Sequence, residues 1–264
     1  MSTIDDLFAR TRAENRAALV GYLPAGFPDK ATSIAAIEAM VDGGVDLVEV
    51  GLPYSDPVMD GPVIQAAAEQ ALAAGTRIGD VFDVVRASAA TGAPTVVMTY
   101  WNPVERYGVD RFAADLAEAG GAGLITPDLI PDEADEWVAA SEKHDLSRIF
   151  LVAPSSTDTR IGYTADAASG FIYATAVMGV TGARDAVSSA APALVERVRE
   201  HTDKPIGVGL GVSTGAQAAE VAQYADAVIV GSALVRRLLD AESPAAGVDA
   251  VRALARELRT GVQR

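Results

Sequence analysis

The chain has 264 residues, half of them hydrophobic, and a formal net charge of −15 at pH 7, which argues against nucleic acid or an anionic membrane as a partner. It contains no cysteine, which excludes disulfides, thiolate metal ligands and a cysteine nucleophile. No apolar run approaches the ~18 residues of a membrane span, and the charged N-terminus lacks the apolar core of a signal peptide. We therefore expect a cytoplasmic protein.

A helical pattern at residues 4–15 comes first, and we expect it to cover the bottom of the fold. Short apolar runs then recur, each followed by an amphipathic stretch with helical periodicity. Runs that are continuously apolar rather than alternating are typical of parallel strands covered by helices. The predicted strands are residues 19–22, 47–50, 95–99, 123–125, 149–152, 171–174, 206–208 and 227–230.

The number of units predicts the architecture. Eight units in 264 residues give about 33 residues each, near the ~30 residues of a βαβ unit. An open, doubly wound parallel sheet is the alternative, but the count of eight favours closure. We expect an α/β protein with a single (β/α)8 TIM-barrel domain over residues 1–264. Its Pro- and Gly-rich segments follow strands, so they belong to the C-terminal face of the barrel, where active sites lie.

One carboxylate stands inside a predicted strand. Glu49 lies in VDLVEVGLP, where an isolated charge is costly unless it is paired or protonated. If Val48 and Val50 face the helices, alternation points Glu49 into the barrel near its mouth. Burial there would raise its pKa toward the value that a general acid–base group needs. A salt bridge to a neighbouring strand is the alternative interpretation.

A second carboxylate lies in the loop that follows. Asp60 belongs to YSDPVMDGP, whose prolines and glycine could place the side chain over the mouth. An Asx turn, or the N-cap of a helix that starts at Pro62, explains the same residues equally well. The same holds for Asp56, which precedes Pro57.

Glycines follow the last three predicted strands: Gly182 after the sixth, Gly211 after the seventh and Gly231 after the eighth. Glycine lets backbone N–H groups approach an anion closely, and a helix N-terminus adds its dipole. Barrels often bind phosphate between the loops after strands seven and eight and a short extra helix. Ser232, at the start of SALVRRLLD, fits the beginning of such a short phosphate-binding helix after strand eight.

The residues that are missing narrow the chemistry. The three lysines, Lys30, Lys143 and Lys204, fall outside the predicted strands, so a Schiff base is not expected. The two histidines, His144 and His201, fall at predicted helix C-termini, where they compensate the dipole. A nitrogen- or sulfur-rich metal site is therefore not expected, and no GxGxxG follows the first strand. Carboxylates, a tyrosine and the substrate's own electrons remain as the groups that can carry out the reaction.

The segment LVEVGLPYSDPVMDGP resembles the signature of the α-subunit family of tryptophan synthase. Further segments resemble the family in chain order over roughly residues 4–260: GYLPAGFPD, MTYWNP, PDLIPDE, GFIYATAVMGVTGAR, VGLGVST and VIVGSAL. Two positions depart from the commoner pattern. Met59 stands where a small residue is usual, and Pro24 stands where threonine is expected.

The resemblance implies retro-aldol cleavage of indole-3-glycerol phosphate to indole and glyceraldehyde 3-phosphate, without a cofactor or metal. Glu49 and Asp60 fall on the family's two catalytic carboxylates, and Tyr173 resembles the tyrosine beside the reacting centre. Residues at the strand ends would sandwich the indole, although each could equally be barrel core: Tyr22, Met98, Tyr100, Ile125 and Leu210.

The resemblance also implies a β subunit as partner, in an α2β2 complex, that receives indole through a channel. Pro53, Asp56 and the 54–62 loop would lie at the edge of that contact. The segment 179–189 is small, polar and rich in glycine, as a closing lid must be. Its Thr181 could reach an ionised Asp60 on closure.

Three alternatives stay open at this point. The chain could be a stand-alone indole-releasing lyase, or a weakly catalytic regulatory subunit, which the intact Glu49 and Asp60 disfavour. It could also be another phosphate-binding barrel, such as an isomerase of amino-sugar intermediates, which the strand-two signature disfavours.

Overall fold

A parallel β-sheet forms the centre of the molecule in this computed structural model, which describes residues 3–175, 190–209 and 211–264. The strands are β1 Ala18–Pro24, β2 Leu47–Gly51, β3 Thr95–Met98, β4 Gly123–Ile125, β5 Ser147–Ile149, β6 Leu151–Val152, β7 Ile172–Thr175, β8 Ile206–Gly209 and β9 Ala227–Val230. Their order in the sheet is β5-β4-β3-β2-β1-β9-β8-β7-β6, with every neighbouring pair parallel.

The sheet closes where one predicted strand is divided into two. β5 and β6 are the two ends of the sheet order, and only Phe150 separates them in the chain. Strands in a barrel are tilted and staggered, so β4 pairs with the first half of this strand and β7 with the second. The N–H of Tyr173 also donates to the carbonyl of Phe150 at 3.1 Å. The predicted (β/α)8 barrel is confirmed, and the open-sheet alternative is wrong.

Helices surround the barrel, and several begin at a polar side chain that caps them. Asp29, Thr157, Thr214 and Ser243 each accept a hydrogen bond from an N–H of the first helical turn. The helices are α1 Thr3–Ala13, α2 Lys30–Asp42, α3 Pro62–Ala73, α4 Ile78–Ala89, α5 Trp101–Tyr107, α6 Val109–Glu118, α7 Asp135–Lys143, α8 Asp158–Ala167, α9 Ala190–Arg199, α10 Gly215–Ala222, α11 Ser232–Leu239 and α12 Pro244–Gly261. Within the described ranges, no helix is long and apolar enough to cross a membrane.

Two hydrophobic clusters lie on opposite faces of the sheet. Val48 and Val50 belong to the larger cluster between strands and helices, whereas Leu47 belongs to the cluster inside the barrel. This confirms the predicted orientation of the second strand, and with it the inward direction of Glu49. The interior cluster takes buried residues from β1 to β5 and from β9, namely Ala18, Val20, Leu47, Val96, Ile125, Ile149, Ala227 and Ile229.

The N-terminal helix α1 closes the bottom of the barrel. Ile4, Leu7 and Phe8 are at most 5 % exposed and belong to the interior cluster, where the Phe8 ring lies 5.7 Å from that of Phe171. Each such side chain contributes roughly 1.5–3 kcal/mol when fully buried. The expected covering role of the first helix is confirmed, and it leaves the opposite face as the open end.

Candidate active site

Glu49 lies on β2 near the open end of the barrel, with Tyr22 of β1 and Val96 of β3 beside it in register. The residue is only 1 % exposed, and its Oε1 has no hydrogen-bond partner among the described residues. The alternative interpretation of Glu49, a salt bridge to a neighbouring strand, is therefore wrong. Because burial penalises the charged form, the pKa of Glu49 is raised to about 8. The group thus holds a proton at neutral pH and can give it up to a substrate.

Burial of Glu49 predicts a pH-dependent cost in stability. Below pH 4.5 the carboxyl is protonated in both states; between 4.5 and about 8 only the native state keeps the proton. Stability therefore falls as the pH rises through this window, by on the order of 3 kcal/mol at pH 7. Glu49→Gln should remove that cost, so its free energy of unfolding in urea should exceed that of the wild type near neutrality. The free energies of unfolding of the variant and the wild type should converge near pH 4. Glu38→Gln, at an exposed position of α2, is the matched control. A difference independent of pH would contradict the raised pKa.

Asp60 lies in the loop between β2 and α3, partly exposed at the barrel mouth. The hydroxyl of Tyr100 donates to its Oδ1 at 2.9 Å, and the N–H of Met59 donates to that hydroxyl at 3.0 Å. Burial raises the pKa of Asp60, and the bond from Tyr100 opposes this rise. The N-cap interpretation of Asp60 is wrong, because Gly61 caps α3. The predicted start of that helix at Pro62 is confirmed.

Two tyrosines occupy the space that two glycines leave free. A Cβ on Gly51 would lie 2.3 Å from the hydroxyl oxygen of Tyr22, and one on Gly209 would lie 2.6 Å from that of Tyr173. Any larger residue at either glycine would displace the neighbouring ring. Burial raises the pKa of both phenols, and so does the charge of Glu49, which places both rings near that carboxyl. The role of Gly51 and Gly209 was missed from the sequence, since nothing local to either residue reveals it.

The other predicted wall residues are divided between the interior and the loops. Ile125 is fully buried in the interior cluster, and Met98 packs against it. Tyr100 is 5 % exposed, and its ring lies 5.4 Å from that of Tyr54. Leu210 lies outside the described residues. Pro24 ends β1 opposite Gly51, and nothing in the structure explains its replacement of threonine.

The candidate anion site lies at β8 and β9. The predicted short helix after the last strand is confirmed as α11, which begins at Ser232 after Gly231. Gly211 has a φ of +73°, a conformation that favours glycine. The N-terminus of α11 faces the same end of the barrel as Glu49. Helix α11 starts just after the carboxyl end of β9, and Glu49 lies near the carboxyl end of β2. Gly182 and Thr181, with the predicted 179–189 lid, lie outside the described residues.

The basic side chains that could give other chemistry lie on the outside of the barrel. Lys30 pairs with Asp80 and Asp83, and Lys143 pairs with Asp110. The third, Lys204, donates to a backbone carbonyl at 2.8 Å. His144 ends α7, as predicted, and His201 follows the end of α9. In the described part of the chain, no three His, Asp or Glu side chains come together as a metal site.

The comparisons with known proteins agree along the whole chain. A family model described as tryptophan synthase alpha chain matches residues 8–263. The tryptophan synthase alpha chain of Nocardia farcinica is 66% identical over 262 residues, which cover 99% of this chain and 96% of that protein. A structure of Mycobacterium tuberculosis tryptophan synthase is 58% identical, with a TM-score of 0.94, covering 100% of this chain and 99% of that one. A tryptophan synthase subunit alpha from Legionella pneumophila is 34% identical, with a TM-score of 0.87, covering 99% and 98%.

A closed parallel barrel with a buried, unpaired carboxyl group at its mouth is typical of a TIM-barrel enzyme that uses acid–base chemistry. The chain belongs to the tryptophan synthase alpha chain family. It is a lyase of the tryptophan synthase complex and acts in tryptophan biosynthesis.

Proposed function

We propose that this chain cleaves indole-3-glycerol phosphate into indole and glyceraldehyde 3-phosphate. The observation that carries the proposal is the pairing of a buried, protonated Glu49 with a partly exposed Asp60 at the same mouth. A retro-aldol step needs an acceptor for the electrons of the breaking C–C bond. With no lysine at the mouth to form an imine, the indole ring of the substrate is the acceptor.

Glu49 is the proton carrier in this proposal. Its carboxyl gives a proton to C3 of the indole, which converts the ring into a cationic indolenine. The bond from C3 to the glycerol carbon then breaks, and its electron pair restores the aromatic ring. The hydroxyl on that carbon loses its proton to the Glu49 carboxylate and becomes the aldehyde. The carboxyl returns to its starting state, so a pKa near neutrality suits both transfers.

Asp60 stabilises the charge that forms on the ring. Its carboxylate accepts the indole N–H and interacts favourably with the growing positive charge on nitrogen. Tyr100 contributes indirectly, since its hydroxyl holds Oδ1 of Asp60 at 2.9 Å. Tyr173, whose ring stands beside Glu49, borders the reacting carbon, and Met98, Ile125 and Leu210 form the apolar walls.

The phosphate binds at the other side of the mouth. Glycines at positions 182, 211 and 231 would let backbone N–H groups approach the phosphate, and the N-terminus of α11, which begins at Ser232, would face it. Backbone groups and a helix dipole need no lysine or arginine. A chain with a net charge of −15 can therefore hold a phosphate ester.

The β subunit contacts the same end of the barrel, in an α2β2 complex, and receives the indole. Of the three large hydrophobic side chains that are most exposed in the described ranges, Val58 and Ile130 follow β2 and β4 at this face. Val58 is 71 % exposed and lies in the 54–62 loop, beside Pro53 and Asp56. Val58 and Ile130 are apolar side chains that this face offers to a protein partner. The phosphorylated substrate does not cross membranes, which favours the cytoplasm as the site of the reaction.

The test is indole release from indole-3-glycerol phosphate, measured for the purified chain with and without a tryptophan synthase β subunit. We expect indole and glyceraldehyde 3-phosphate in equal amounts, slowly from the chain alone and much faster in the complex. If neither sample releases indole, the proposed reaction is wrong. If the isolated chain already works at the rate of the complex, the stand-alone lyase is the better description.

A further inference from the structure

The hydroxyl of Tyr22 is a polar group that the proposed reaction does not use. Tyr22 is 9 % exposed and stands opposite Glu49 on the neighbouring strand, and alternation puts it on the same inner face of the sheet as Ala18 and Val20. Tyr100 donates its hydroxyl to Asp60, but within the described ranges the Tyr22 hydroxyl makes no hydrogen bond. A hydroxyl without a hydrogen-bond partner in the described part of the chain can donate to a ligand that enters the barrel mouth.

The Tyr22 ring lies between the candidate anion site at Gly231 and the strand that carries Glu49. Its Cδ1 lies 3.4 Å from the position of a Cβ on Gly231, and its hydroxyl oxygen lies 2.3 Å from the position of a Cβ on Gly51. One edge of the ring thus adjoins the start of α11, and the hydroxyl adjoins the strand of Glu49. In the sheet, β1 stands between β9 and β2.

The substrate must follow the same path. With its phosphate at Gly231 and Ser232 and its indole at Glu49 and Asp60, the three-carbon chain between them crosses β1. Two hydroxyl groups on that chain then pass the Tyr22 hydroxyl.

We propose that the Tyr22 hydroxyl donates a hydrogen bond to a glycerol hydroxyl of the phosphorylated substrate, and so selects for a hydroxylated linker between ring and phosphate. This inference rests on the proposed function and replaces the expected role of Tyr22 as an apolar wall of the indole pocket. Burial, together with the charges of Asp60 and Glu49, raises the pKa of Tyr22, so the phenol keeps the proton that it donates.

Tyr22→Phe removes the hydroxyl and keeps the ring. Two ligands separate its effects: indole-3-glycerol phosphate, and 3-(indol-3-yl)propyl phosphate, which keeps ring and phosphate but lacks both hydroxyls. We expect kcat/KM for the first to fall about 10-fold, the size of one good hydrogen bond. The affinity for the second, measured by calorimetry, should stay within about twofold of the wild type. Tyr163→Phe, on the exposed surface of α8, is the matched control and should change neither value.

Two results would overturn the inference. An unchanged kcat/KM would show that the hydroxyl makes no contact with the substrate, and an equal loss for both ligands would show that only packing is disturbed. A wild-type chain that cleaves no indole-3-glycerol phosphate, alone or with a β subunit, would instead remove the proposed function, and this inference with it.

Discussion

Glu49→Gln should abolish indole release from indole-3-glycerol phosphate while the substrate still binds. The amide has nearly the same shape as the protonated carboxyl, so the buried site can accept it without a cavity. It cannot give a proton to C3 of the indole or take one from the substrate hydroxyl, and both transfers are lost together. A positioned acid–base group commonly contributes 10²–10⁴-fold, roughly, to a rate. One group that serves two transfers should contribute at least that much.

The measurement is single-turnover indole release, with substrate affinity determined separately by calorimetry. Glu38→Gln, an identical change on the exposed side of α2, should keep the wild-type rate. Near-normal turnover by Glu49→Gln would exclude the carboxyl as proton carrier. Loss of substrate binding together with turnover would assign it to binding instead.

Asp60→Asn should lower kcat by about 10²–10⁴-fold, the usual range for one electrostatic or acid–base group. The amide oxygen can still accept the hydroxyl of Tyr100, so the loop should keep its position while the negative charge disappears. The cation that forms on the indole nitrogen then lacks its counterion. Because this charge is larger in the transition state than in the bound substrate, kcat should suffer more than KM.

Steady-state kinetics of Asp60→Asn test whether the loss falls on kcat rather than on KM. Asp166→Asn removes a carboxylate from the exposed surface of α8 and should leave both constants unchanged. A variant within twofold of the wild-type kcat would rule out Asp60 as the stabiliser of the cation. A rise in KM alone would place it in substrate binding.

Local patterns in the sequence were sufficient for the barrel and for the direction of its reactive strand. Eight continuously apolar runs indicated a sheet covered by helices, and the alternation of side chains on β2 put Glu49 on the opposite face from Val48 and Val50. The structure shows that both valines face the helices, so Glu49 points inward, where burial raises its pKa. These inferences succeed because hydrophobic burial and the two-residue period of a strand act over a few neighbouring residues.

The loops were less predictable, because contacts between residues far apart in the chain decide their conformation. The sequence left Asp60 undecided between an active-site group and a helix cap, and the N-cap proved to be Gly61. Helix α5 begins directly after Tyr100, whose hydroxyl donates to Asp60 from 40 residues away in the chain. No local pattern encodes such a contact, because the paths of two separate loops decide it.

The sequence by itself determined the parallel barrel, the covering first helix, the short helix after the last strand and a carboxyl inside the mouth. Only the tertiary structure decided where the barrel closes, at Phe150, and which tyrosines meet which glycines across neighbouring strands. Strand stagger and the packing of rings such as Tyr22 against Gly51 are properties of the closed barrel as a whole. They arise only when residues far apart in the chain come within contact distance, and local sequence patterns do not reveal such contacts.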